Sequence, residues 1–228
     1  MVANNDLIAK RRASIILGSF HKPDDIPYSY RRVEYLESSG TQCLATTLIP
    51  TFQSNDQMYL RFALLSGTKA TSIIFGCEGQ SFTGSSAVQL VYIASSRYYS
   101  NKNALRCDLA GLTYTSADFF GELNPSNDFH EFTANGLVTN CLNKSITANS
   151  AIAGGTKPLY LFGQKVNDKN KATCRISSMW YKRNGNYLIH LIPCVRISDS
   201  VAGMYDTVAR SFLTNTGTGT FVAGPYID

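Results

Sequence analysis

The sequence predicts an all-β protein built as a two-sheet antiparallel sandwich, and three observations carry that prediction. Short apolar or alternating runs recur between clusters of Gly, Ser and Asn: QMYLRFALL (57–65), TSIIFGC (71–77), AVQLVYIA (87–94) and PLYLFGQ (158–164). Their length and punctuation are those of strands rather than helices. Thirteen Tyr and twelve Phe accompany abundant Thr, Ser and Asn, residue types that favour strands and turns. Finally, Asn-Gly stands between apolar stretches in HEFTANGLVTNCLN (130–143) and in ATCRISSMWYKRNGNYLIHLIPCVRI (172–197). In the second, Asn184-Gly185 supplies the two positive φ angles of a type I′ hairpin turn. About ten to thirteen strands are expected. A chain of 228 residues buries roughly 70–75% of its unfolded surface, so its core needs no disulfide or metal.

Helical patterning is confined to the start. In NNDLIAKRRASIIL (4–17) Asn5 or Asp6 can cap a short helix, Leu7 and Ile8 recur as Ile15 and Ile16, and Gly18 would stop it. Pro23 and Pro27 in HKPDDIP then rule out helix continuation. The chain therefore divides into an N-terminal arm, 1–27, and a sandwich domain, 28–228. Residues 1–32 hold six basic side chains, among them Lys10, Arg11 and Arg12, against three acidic ones, so they carry +3 of the net +5. A basic arm on a near-neutral body fits attachment to something acidic; an ordinary solvated tail is the alternative. No aromatic residue interleaves with the basic cluster, which argues against nucleic acid. No apolar run approaches the roughly 20 residues of a membrane span, and residues 1–20 lack a secretory pattern. A soluble protein made in a cytoplasm is expected.

Six cysteines lie mostly 30–34 residues apart, but TQCLA, FGCEG, LRCDL and TNCLN share no repeat. None has a CxxC-type metal spacing, and most have apolar neighbours, so reduced core thiols are expected. Catalytic patterns are also wanting. Glycoside hydrolysis needs two carboxylates about 5–10 Å apart, and glucanases of sandwich fold carry them on one strand as E-x-D-x-x-E. Here Glu34 and Glu37 are three apart, as are Asp128 and Glu131, while Asp118 and Glu122 bracket what reads as a loop. His21, His130 and His190 are the only histidines, and no nucleophile motif surrounds any cysteine. In VNDKNKA (166–172), Asn167, Asp168 and Asn170 offer oxygens, but Lys169 and Lys171 oppose a calcium ion. No metal or other cofactor is expected.

VEYLESSGTQCLATTLIPT (33–51) and LIPCVRISDSVAGMYDTVARSFLTNTGTGTFVAGP (191–225) resemble the opening and closing signatures of laminin-G-like, concanavalin-A-like domains. Such domains occur in bacteriophage virion proteins and in surface proteins of gut bacteria. HEFTANGLVTNC followed by PLYLFG resembles the family's central hairpin and the strand after it. The resemblance covers residues 30–225, and GMYD…F.TN.GTG.F is its most specific part. It implies a jelly-roll sandwich closed by a hairpin and loop, with Gly203, Asp206, Gly217 and Gly219 shaping the turns. Tyr205, Phe212 and Phe221 would be inward anchors. It further implies a non-enzymatic virion structural protein, docked by its arm on capsid or tail proteins, either decorating the capsid or forming a head fibre or tail part, and homo-oligomeric. A glycan-binding module for host-surface polysaccharide is the alternative, and a glycoside hydrolase a remote one. For sugar stacking, the loop aromatics Tyr98 and Tyr99 of SSRYYSNKN, with Tyr114 and Phe119 of GLTYTSADFFGEL, are the candidates. For Tyr98 and Tyr99, covering the core or a subunit contact is the plainer reading.

Overall fold

The computed structural model describes residues 26–77, 88–97, 99–109, 119–147, 157–165 and 169–227. Among them are seventeen strands and no helix: β1 (Tyr30–Arg32), β2 (Leu36–Ser39), β3 (Leu44–Ala45), β4 (Asp56–Leu64), β5 (Thr71–Cys77), β6 (Val88–Ser96), β7 (Lys102–Leu109), β8 (Phe119–Glu122), β9 (His130–Asn135), β10 (Val138–Cys141), β11 (Lys144–Thr147), β12 (Leu159–Leu161), β13 (Thr173–Arg183), β14 (Asn186–Arg196), β15 (Ala202–Asp206), β16 (Ser211–Leu213) and β17 (Val222–Ala223). The count exceeds the expected ten to thirteen because several strands are only two to four residues long. Such pieces depend on their partners and carry no pattern of their own. The expected N-terminal helix lies outside the described residues.

The strands pair antiparallel in two sheets. The larger runs β11-β10-β9-β4-β13-β14-β15-β16, with β1 beside β14 and β2 bridging β13 and β17; the smaller runs β3-β12-β5-β6-β7-β8. Alternation builds the interior. On β4, Met58, Leu60 and Phe62 are buried while Gln57, Tyr59 and Arg61 stay half-exposed, as a strand with one covered face requires. One apolar cluster draws on both sheets: Met58, Leu60 and Phe132 from the larger, Phe75, Leu90 and Leu105 from the smaller. Phe132 bridges the layers, edge-on to Phe75 at 5.3 Å and to Phe120 at 6.0 Å. The two sheets thus share one core. All six cysteines are buried thiols, and burial pushes those of Cys77, Cys141 and Cys194 up to about 12.

The β13–β14 hairpin turns through Asn184 (φ 51°) and Gly185 (φ 76°), pairing Arg183 with Asn186. The closing segment works as a latch. β15 and β16 form a hairpin in which Tyr205 faces Phe212 across the ladder, and Asp206 accepts the N–H groups of Val208 and His190. The loop after it clips onto residues 41–43. Asn215 Oδ1 accepts the N–H of Cys43 and of Gly217, and Gln42 Nε2 donates to the Thr220 carbonyl. At Gly217 an added Cβ would lie 2.4 Å from the Thr41 carbonyl oxygen, and Gly219 has φ +71°. Both positions therefore require glycine. Phe221 then enters the core against Phe162, ring centroids 4.8 Å apart.

The other two expected anchors face the opposite way. Met204 belongs to the core cluster, so its strand neighbour Tyr205 lies on the outer face of the large sheet. There it is 6% exposed, because Tyr30 packs on it at 5.1 Å and also contacts Phe212 at 5.0 Å. A second, smaller apolar layer is the reason Tyr205 is buried and Phe212 half-buried without either entering the core.

Candidate functional site

The alternation that buries one face of the large sheet leaves a row of polar and aromatic groups on the other. Register places Asn140 of β10, Thr133 of β9, Tyr59 of β4, Trp180 of β13 and His190 of β14 side by side. The Tyr59 and Trp180 rings are nearly parallel, 5.7 Å apart, and Tyr187 meets Trp180 edge-on at 6.1 Å. The Lys182 ammonium stands 4.9 Å from the Trp180 centroid and 4.2 Å from that of Tyr187. Tyr59 donates its hydroxyl to Glu131 Oε1 at 2.8 Å. Burial, and then this bond, push its phenol up to about 12, so it remains a donor at neutral pH.

Beyond Glu131 the row opens into a groove of about 660 Å³ lined by Phe129, His130, Glu131, Thr133, Asn140 and Asn143, with the β10–β11 turn forming one side. That volume is in the roughly 300–1,000 Å³ range of small-molecule sites. The Arg61 guanidinium lies over Phe129 at 4.4 Å. Partial burial pushes the His130 imidazole down, leaving it neutral at pH 7, and it packs against Phe62 at 6.0 Å. Asn140 is oriented from both sides: its Nδ2 donates to Thr133 Oγ1 at 3.4 Å, and Ser145 donates to its Oδ1. Rings, amides, hydroxyls and a carboxylate acceptor together suit a hydroxyl-rich ligand.

Several described carboxylates are already engaged: the fully buried Asp56 pairs with Arg183, Asp108 with Arg106, and Glu37, Glu122 and Asp199 with Arg175, Lys102 and Arg196. Glu122, expected in a loop, ends strand β8.

No protein-family model matches this chain, and no curated protein matches its sequence.

Of the sequence candidates for sugar stacking, Tyr99 and Phe119 come together, ring centroids 5.4 Å apart at 30°. Tyr99 is half-buried, but Phe119 is fully buried as the first residue of β8, so it presents no face to a sugar. Phe119 was expected in a loop, within GLTYTSADFFGEL (111–123), but it opens a strand whose pairing buries its ring. Tyr98, Tyr114, the arm residues Lys10, Arg11 and Arg12, and the loop residues Asn167 and Asp168 lie outside the described residues. The outer-face row was missed. Its signal was present, since Tyr59 and Arg61 alternate with core positions on β4, but the register joining β10, β9, β4 and β13 is not written in any one strand.

Proposed function

We propose that this chain is a non-enzymatic structural protein of a bacteriophage particle. Residues 1–27 dock it on capsid or tail proteins, and the sandwich is displayed outward as a capsid decoration, head fibre or tail-associated part. The observation that carries this reading is the closing segment, 203–221. The residues bearing the resemblance to virion domains are those that latch the sheets together through Asn215, Gly217 and Phe221. Engagement of Asp56, Asp108 and Glu37 in ion pairs supports a binding or architectural role over a hydrolytic one. Deleting residues 1–27 should leave a folded domain that no longer joins particles. Incorporation of the truncated protein at the full-length level, measured on purified particles, would refute docking by the arm.

A second reading, a module for host-surface glycan, is favoured by the Tyr59–Trp180 row and the groove beside it. The two are compatible, since a displayed domain can grip polysaccharide.

A further inference from the structure

The outer-face row has a charge balance that narrows its ligand. Two cations flank it. Lys182 contacts the rings of Trp180 and Tyr187, and Arg61 contacts the Phe129 ring and Ser177 Oγ, the latter at 3.4 Å. Neither forms an ion pair with a described residue, although ion pairs engage Arg175, Arg183 and Arg196 elsewhere on the same sheet. The one carboxylate in the row, Glu131, spends an oxygen on the Tyr59 hydroxyl. Glu131 stands directly across from Arg61 in the β4–β9 register, while Lys182 faces only Gln57 and Tyr187, so these three charged groups leave the face one charge positive.

Cation–π contacts at such half-exposed positions are weaker than a charge-assisted hydrogen bond to an anion. Lys182 and Arg61 therefore hold their charges in place while keeping N–H donors for an incoming acceptor. The indole N–H of Trp180 likewise has no protein acceptor among the described residues. Between the cations lie the Tyr59 and Trp180 rings, and on the far side of β4 the hydroxyl of Thr133 and the amide of Asn140 suit sugar hydroxyls.

Resting on the glycan-binding reading, we propose that this face binds a carboxylate-bearing polysaccharide. Lys182 and Arg61 take the carboxylates of separate residues along the chain, and Asn140, Thr133 and Glu131 take the hydroxyls. A linear polyanion suits a row that crosses several strands better than a closed pocket would.

The test is affinity electrophoresis or calorimetry of the full chain with polygalacturonate and with neutral dextran. Polygalacturonate should bind and dextran should not, and binding should weaken as salt rises. Lys182→Gln and Arg61→Gln should each weaken it about tenfold without shifting the melting temperature. Replacing Lys10, Arg11 and Arg12 together by Gln should leave it intact. Loss in the arm variant with no change in Lys182→Gln would overturn the assignment, because a non-specific polyanion contact of the arm would then explain binding. Equal binding of dextran overturns the acidic ligand and leaves the glycan reading standing. Binding of neither polymer overturns both.

Discussion

Replacing Asp56 by Ala should destabilise the protein by about 3 kcal/mol, the low end for breaking a buried ion pair. Asp56 is fully buried and Arg183 about one-third exposed, with Arg183 Nε 2.7 Å from Asp56 Oδ1. Asp56 Oδ2 accepts from the Tyr181 hydroxyl and from Thr51 Oγ1, both at 2.7 Å, and from the Gln53 N–H at 2.9 Å. Tyr181 in turn accepts the N–H of Phe52 at 3.0 Å. One carboxylate thus ties the 51–53 turn to the middle of the large sheet. Its removal leaves the Tyr181 hydroxyl without an acceptor, while Arg183 recovers some water. Urea melts of both proteins check this, and a loss under about 1 kcal/mol would show that the network is dispensable.

The same group sets a pH dependence. Burial pushes the Asp56 carboxyl up, but the bonds from Arg183, Thr51, Tyr181 and the Gln53 N–H outweigh it and hold the group at about 2, against 3.8 ordinarily. A carboxyl depressed on folding stabilises fully above its unfolded value and loses that contribution as pH falls through its folded value. The drop corresponds to about 2 kcal/mol, present above about pH 4 and lost towards pH 2. The gap between wild type and Asp56→Ala should narrow over that window.

Gly203→Ala should cost about 2–3 kcal/mol, the upper part of the range for forcing atoms into a packed site. The added Cβ would lie 2.4 Å from the Leu213 carbonyl oxygen and 2.7 Å from the Phe212 ring. The carbonyl belongs to the strand that pairs Met204 with Leu213, so relief requires opening the β15–β16 hairpin. That movement also uncovers Tyr205. A melt indistinguishable from wild type would mean that this hairpin does not latch the domain.

Much of the scaffold was legible in the sequence because long strands carry their own pattern. β4, β5, β6 and the β13–β14 hairpin are each long enough to show burial or alternation, and Asn184-Gly185 names its turn. The two-residue strands β3 and β17 form only because partners present unpaired backbone groups, so no local signal marks them. Tyr205 shows a different limit. Alternation says that it and Met204 face opposite ways, but not which side is the core. The site was less legible still. Trp180 and Tyr59 are visible singly, yet their stacking depends on the register between β4 and β13, and the groove depends on the turn geometry at Leu142 and Asn143, both at positive φ. Phe119 looked accessible because its aromatic neighbours are flanked by Gly and Ser, while burial is decided by the sheet it joins.

The proposed virion role is tested most directly by quantitative mass spectrometry of purified phage particles, measured against the major capsid protein. A virion protein should be present: near one copy per capsid subunit to one per capsomer for a decorating role, or a handful per particle for a tail position. Its complete absence from the particles would rule out the virion role and leave glycan binding as the function to pursue.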